Sequence, residues 1–214
     1  MSIPFRQTIG IIGGGQLGKM LIEASRPLNF RNLLLENDPA CPASLVADEV
    51  ITGQLTDPDS IRRLAERSDV LTYEIEHVGV ETLLELESEG KRIVPSPRVL
   101  QVIRDKGIQK QFYADRNLPT TPFVFADGPS DWASAIATLR GDRLVAKSRT
   151  GGYDGKGVDI FERRALLDGS YQPAFATPVV IDEIVADAIE LAVIVAADGH
   201  GNFRTWPSIQ MEFH

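Results

Sequence analysis

Cysteine is almost missing from this chain of 214 residues: Cys41 is the only one. No internal disulfide can form, and a reducing compartment suits the protein. Cys41 lies in the Pro-rich stretch DPACPAS, where a structural role is favoured over a reactive one. Histidine is scarce as well. His77, His200 and His214 all fall in loop-like or terminal settings, and none offers a convincing general base. No apolar run approaches the roughly 18 residues of a membrane span, and the opening MSIPFRQ lacks the apolar centre of a signal peptide. A cytoplasmic protein with no membrane partner is expected. Positive charge is in deficit, with 22 Lys and Arg against 30 Asp and Glu for a net −8. That argues against a general nucleic-acid binder, while leaving room for a local basic pocket that takes a small anion. Repeats and low-complexity tracts are absent too. Charge is nonetheless moderate and apolar content ordinary, at 24% and 43%, so a packed core is expected and disorder is not.

What is present falls into two halves. TIGIIG (8–13), NLLLE (32–36), EVIT (49–52), DVLTYE (69–74) and RIVP (92–95) read as short apolar strands. Helical patterns separate them: 14–28, with Leu17, Met20, Leu21 and Ala24 on one face, the DSIRRLAERS stretch after the cap-and-proline pair Asp57-Pro58, and 80–89. Strands alternating with helices predict a parallel, doubly wound sheet. After Ser96-Pro97 the pattern changes. Two helices (97–103 and 105–117), a linker LPTTPF (118–123) and a helix near 130–139 precede strands at 143–148, 158–162, 179–185 and 190–198. The turn DGHGN (198–202) leads to FRTW (203–206), and antiparallel pairing is expected here. A domain boundary belongs near 97–120.

Two glycine-rich stretches carry chemistry. Gly13-Gly14-Gly15-Gln16-Leu17-Gly18 fits G-x-G-x-x-G between a strand and a helix, and Glu36 ends the next strand. By spacing this is a dinucleotide fingerprint, in which a phosphate approaches backbone N–H groups at a helix N-terminus. The plainer reading is tight strand-to-helix packing. The second stretch, RTGGYDGKG (149–157), lies between two strands and exceeds the about two to five residues of a tight hairpin loop. Lys147 ends the strand before it and Lys156 lies within it. A strand-borne lysine can neutralise phosphate charge while a glycine-rich lid excludes water. The plainer reading is a solvated loop. Asp182-Glu183-Ile184-Val185 closes a later strand and Glu190 opens the next. That is a weak signal by itself, though such an edge can read an adenine and hold a ribose.

In this order the segments GIIGGGQLGKM, DEVITG, TYEIEHV, PSPRVLQVIRDKGIQKQF and RTGGYDGKG resemble the 5-(carboxyamino)imidazole ribonucleotide synthetase family of the ATP-grasp superfamily, over essentially the whole chain. The resemblance implies an α/β fold: a Rossmann-like parallel-sheet pre-ATP-grasp domain (1–97), linker helices (98–122), then the first part of an α+β ATP-grasp domain. That part comprises a small subdomain with the flap (123–187) and the start of the large subdomain (188–214). It implies ATP contacts at Lys106, Lys147, Gly152, Tyr153, Asp154, Gly155, Lys156, Gly157 and Val158. Adenine contacts follow at Asp182, Glu183, Ile184 and Val185, and a ribose contact at Glu190. Lys147 and Lys156 would be catalytic. Gly15, Gln16, Leu17, Glu74 and Glu76 would face the ribonucleotide substrate.

The implied reaction joins ATP, bicarbonate and 5-aminoimidazole ribonucleotide, with Mg2+, in purine synthesis. Metal ligands are expected beyond residue 214, so the resemblance implies an N-terminal part of a longer, homodimeric enzyme that is inactive by itself. Two positions depart from the family pattern. Asp182 stands where many members have Glu, and Phe213 where many have His, so no role passes to His214. The rivals are another ATP-grasp ligase or carboxylase, an NAD-dependent oxidoreductase built on the front loop and Glu36, and a non-catalytic binding module.

Overall fold

The computed structural model describes residues 6–152 and 157–212. The chain divides into two compact units, Met1–Leu118 with Arg149–Gly151 and Pro119–Ser148 with Gly152–His214.

The first unit runs β1 (Thr8–Ile12), α1 (Gln16–Ser25), β2 (Arg31–Glu36), β3 (Glu49–Thr52), α2 (Pro58–Glu66), β4 (Val70–Tyr73), α3 (Val80–Ser88), β5 (Arg92–Ile93), α4 (Pro97–Arg104) and α5 (Lys106–Asp115). All five strands are parallel, in the order β3-β2-β1-β4-β5. Alternation sends successive side chains to opposite faces. Ile12, Leu33, Leu35, Ile51 and Leu71 pack with Ile61, Leu64, Leu83, Leu86 and Leu100. On the other face Ile11 and Leu34 meet Ile22, Cys41 and Ala43. Burial on both faces is why these strands read as continuous apolar runs. The expected cap-and-proline starts are there. Asp57 accepts from the Ser60 N–H at 2.9 Å, and Ser96 from the Arg98 N–H at 3.3 Å, each with proline at the first helical position. β5 stops at Ile93, short of the expected RIVP, because Pro95 has no N–H for the ladder. The order of the strands reverses beside β1, which opens a crevice at the C-terminal ends of β1 and β4.

Helix α1 corrects the sequence reading. The apolar face of Leu17, Met20, Leu21 and Ala24 is not the one it buries: Leu17 is 63% exposed and Met20 54%, while Gly18, Ile22 and Ser25 are buried. A Cβ on Gly18 would stand 2.5 Å from the Gly13 carbonyl oxygen. The helix therefore approaches so closely that its inner stripe holds Ile22 as its one large apolar residue, between Gly18 and Ser25. Ser25 fits there because its hydroxyl donates to the Ile22 carbonyl at 2.8 Å and meets Asn32 Oδ1 at 2.9 Å. Ile22→Ala should cost about 2–4 kcal/mol and Met20→Ala no more than about 0.5 kcal/mol, read from urea unfolding. Equal losses would mean the helix packs the other way round.

The second unit is built on β6 (Phe123–Ala126), α6 (Trp132–Ala135), β7 (Arg143–Ser148), β8 (Val158–Glu162), α7 (Arg163–Leu167) and β9 (Val179–Glu183). Its sheet has the order β6-β9-β7-β8 and is antiparallel throughout, as expected. Trp132, Ile136, Leu144, Ala146, Phe161, Val179 and Ile181 form its core. Four details differ from the sequence reading. The supposed linker runs into a real strand, β6. The helix expected at 130–139 is α-helical only over Trp132–Ala135 between two 3-10 turns, although Trp132, Ile136 and Leu139 still bury at helical spacing. Helix α7 was not foreseen. The strand expected at 190–198 breaks into β10 (Leu191–Ala192) and β11 (Val195–Ala197), which pair antiparallel with β13 (Ile209–Gln210) and β12 (Phe203–Thr205) respectively. The turn at 198–202 is closed by Asp198, whose Oδ1 accepts from the His200 N–H at 2.7 Å. Among the described residues no helix is long and apolar enough to cross a membrane.

Candidate functional site

The front loop follows β1, and two of its donors are taken by carboxylates. The Gly14 N–H donates to Glu36 Oε2 at 2.7 Å, and the Gly15 N–H donates to Glu74 Oε1 at 3.0 Å. Helix α1 has no side-chain cap of its own, since Gly15 holds the N-cap position. The Glu74 carboxylate, carried in from the end of β4, supplies the negative charge that a helix N-terminus favours. Glu36 is 9% exposed, and its second oxygen accepts from the Asn37 N–H at 2.7 Å. In a dinucleotide site this acid would reach a ribose and the loop N–H groups would face pyrophosphate. Here two carboxylates occupy the Gly14 and Gly15 N–H groups and would repel an anion. The spacing of the fingerprint is present without its chemistry. Of the residues expected near a ribonucleotide, Gly15 and Glu74 are brought together, whereas Gln16, Leu17 and Glu76 are exposed at the same end of the sheet.

The second unit carries a partly buried charged pair on a sheet face that is apolar around it, with the exposed Arg143–Glu162 pair at the far end of the same face. Lys147 is opposite Val180 on β9 and Val158 on β8, and Asp182 is opposite Val145 and Phe123. Residues directly opposite share a face. Phe123, Phe125, Val145, Val158, Ile160 and Val180 therefore surround Lys147 and Asp182. Asp182 is 1% exposed. Its Oδ1 accepts from the Thr121 hydroxyl at 3.1 Å, and its Oδ2 lies 3.1 Å from Lys147 Nζ in an ion pair without hydrogen-bond alignment. The lysine keeps a third of its side chain exposed, so its ammonium is aimed but not hidden. A sheet face that is apolar around a lysine held in this way can accept a flat ring that has an anionic tail.

The neighbouring residues do other work. Glu183 turns to the opposite face, where its carboxylate accepts from the Arg140 N–H at 2.5 Å. Ile184 is half-buried and Val185 exposed, and exposed Glu190 uses its carbonyl to accept from the Met211 N–H at 2.9 Å. The glycine-rich loop leaves β7 and returns to β8, closed at its base by the Ser148 N–H on the Gly157 carbonyl at 2.8 Å. Gly152, Gly157 and Val158 lie at that base, and Tyr153, Asp154, Gly155 and Lys156 lie outside the described residues.

One element of the first unit escaped the sequence reading. Lys106 opens α5, and Asp105 caps it by accepting from the N–H groups of Gly107 at 2.7 Å and Ile108 at 3.2 Å. The same carboxylate receives Arg149 in a two-pronged grip, Nε to Oδ1 at 2.9 Å and Nη2 to Oδ2 at 2.8 Å. Burial pushes the Asp105 carboxyl up, but the Arg149 bond, the two backbone donors and the arginine charge outweigh it and hold the group below its ordinary range. An Asp ahead of a helical stretch was a readable cap signal. Its arginine, 44 residues away, was not.

A parallel sheet with a loop over its switch point, followed by an antiparallel sheet bearing an aimed lysine and a glycine-rich loop, defines a nucleotide-dependent ligase architecture. Family models match accordingly: a ribonucleotide synthetase preATP-grasp domain over residues 6–104 and an ATP-grasp domain over 111–213, so the chain belongs to the ATP-grasp family. It is similar to the N5-carboxyaminoimidazole ribonucleotide synthase of Brucella melitensis, at 38% identity over 91% of this chain and 54% of that protein. The solved N5-carboxyaminoimidazole ribonucleotide synthetase of Thermotoga maritima matches with TM-score 0.84 and 35% identity, over 96% of this chain and 53% of that one. An Aspergillus clavatus N5-carboxyaminoimidazole synthase, solved in complex with ADP and 5-aminoimidazole ribonucleotide, matches with TM-score 0.81 and 25% identity, over 97% of this chain and 54% of that one. The chain spans 36–55% of the length of the curated relatives it matches.

Proposed function

We propose that this chain supplies the nucleotide-gripping part of an ATP-dependent carboxylase that converts 5-aminoimidazole ribonucleotide to 5-(carboxyamino)imidazole ribonucleotide. The observation that carries this reading is the Lys147–Asp182 pair on an apolar sheet face beside the glycine-rich loop, in a chain whose relatives bear that enzyme's name. The purine would lie against the apolar face near Asp182, Glu183, Ile184 and Val185, with its ribose toward Glu190. Lys147, Lys156 and Lys106 would neutralise the phosphates, with Gly152 through Val158 closing over them. Bicarbonate attacks the γ-phosphorus, giving carboxyphosphate and ADP. The exocyclic amine of the ribonucleotide then takes the carboxyl carbon, and phosphate leaves. Protein groups contribute position, charge and exclusion of water more than covalent chemistry.

On the ribonucleotide side, Gly15, Gln16, Leu17, Glu74 and Glu76 present acceptors and a carboxylate-capped loop. That favours hydroxyl and amino donors over a phosphate. Among the described residues no group of three or more His, Cys, Asp or Glu could hold a metal ion. A homodimer in the cytoplasm completes the proposal.

Phosphate release tests it. ATP turnover by the full-length enzyme to which this chain is proposed to belong should require bicarbonate and rise when 5-aminoimidazole ribonucleotide is added. Hydrolysis indifferent to the ribonucleotide but stimulated by another acceptor would assign a different ATP-grasp ligase.

A further inference from the structure

We propose that Arg149 is a positioning residue for Lys106: by clamping Asp105 it fixes the first turn of α5, from which Lys106 reaches a nucleotide phosphate. This rests on the nucleotide-site reading above. A cap alone does not need the arginine. Asp57 caps α2 through Ser60, and no arginine grips it in that way. At α5 the guanidinium adds two charge-assisted bonds to the same carboxylate, and the Arg149 carbonyl accepts the Lys106 N–H at 2.9 Å. Lys106 is thus held from both sides, by the cap before it and by the arginine backbone across from it.

The pair is not a loose surface contact, because the arginine side chain is 33% exposed and the aspartate side chain 19%. Its two-pronged geometry separates it from the exposed single-contact pairs that contribute little. Gly107 shows how closely the guanidinium lies on the helix. A Cβ there would stand 2.5 Å from Arg149 Nε and 2.8 Å from Cζ, so any side chain at 107 pushes the clamp away. Arg149 is also the first residue of the glycine-rich stretch, directly after the strand that bears Lys147. The clamp therefore ties one end of that stretch to the helix that Lys106 begins.

The test is ADP titration by calorimetry on the protein, with thermal melts in parallel, for wild type, Arg149→Ala, Lys106→Ala and the double variant. Arg149→Ala should weaken ADP binding about tenfold or more, as expected when a residue that orients a charged contact is lost. In the Lys106→Ala background the same change should weaken it further by less than about threefold, because non-additivity marks residues that act through one another. Arg149→Lys should not rescue, since an ammonium cannot grip both carboxylate oxygens in plane. Arg149→Gln, which keeps one donor for Oδ1, carries the same cycle if the alanine variant does not fold. A lower melting temperature with unchanged ADP affinity would make the clamp purely structural, and full additivity with Lys106→Ala would mean the arginine acts by another route. Either result overturns the proposal while leaving the nucleotide site standing. Wild-type protein that fails to bind ADP would remove the nucleotide site, and the clamp with it.

Discussion

Lys147→Ala is expected to weaken ATP binding about 10- to 100-fold, the loss of one hydrogen bond or ion contact to a charged group. The lysine is aimed by its neighbours, so its ammonium is in place before the ligand arrives. The structure adds a second effect that the sequence could not supply. Asp182 is 1% exposed and would lose the cation that faces its Oδ2, while the Thr121 hydroxyl stays on Oδ1. A buried carboxylate that loses its cation is destabilising, and the partial exposure of the lysine keeps the cost to about 2 kcal/mol. Adding Asp182→Asn should restore much of that stability without restoring ATP affinity. Calorimetry and thermal melts on the two variants separate the effects. Unchanged ATP affinity in Lys147→Ala would remove the lysine from the site.

Glu36→Ala should be the most damaging change at the front loop, lowering stability by about 2 kcal/mol. It leaves the buried Gly14 N–H without its acceptor, at about 1–3 kcal/mol, whereas the N–H of exposed Asn37 can turn to water. Urea unfolding measures it, and an NAD titration of the wild type should show no binding. Under the dinucleotide reading the pattern inverts, with coenzyme affinity lost and stability barely changed. That inverted result would restore the oxidoreductase alternative.

The two halves were unequally legible. Parallel strands buried on both faces announce themselves as apolar runs, and Asp57-Pro58 and Ser96-Pro97 mark helix starts by local chemistry. Those signals need no knowledge of the rest of the chain. What failed needed partners distant in sequence. The buried stripe of α1 could not be found from hydrophobicity, because close approach at Gly18 leaves Ile22 as its one large apolar residue while Leu17 and Met20 stay outside. Glu36 sat at the spacing of a ribose acid, yet spacing does not say whether a carboxylate turns outward or back onto Gly14. Strand β6 was lost in a Pro-rich stretch because its pairing partner, β9, lies more than fifty residues away. At the site, Lys147 and the acid stretch were visible from the sequence. Which acid meets the lysine was not, since Asp182 and Glu183 differ only in the face to which strand alternation sends them. Asp105 was readable as a cap, but nothing in the sequence paired it with Arg149 or set Thr121 beside Asp182.

That alternation also bears on how the second sheet avoids misfolding. If β9 slid by one residue along β7, every side chain on it would change faces. Asp182 would then enter the layer of Trp132, Leu144 and Phe161, far from Lys147, and Glu183 would take its place on the other side. A carboxylate without a partner among those rings costs several kcal/mol or must pick up a proton. Apolar contacts alone discriminate poorly here, because Val179, Val180 and Ile181 are close to interchangeable in either frame. The single charge supplies what the valines cannot. It works as a proofreading mark, penalising the shifted frame before the sheet closes, so a residue read as part of a ligand site also decides which of two nearly equivalent pairings the chain keeps.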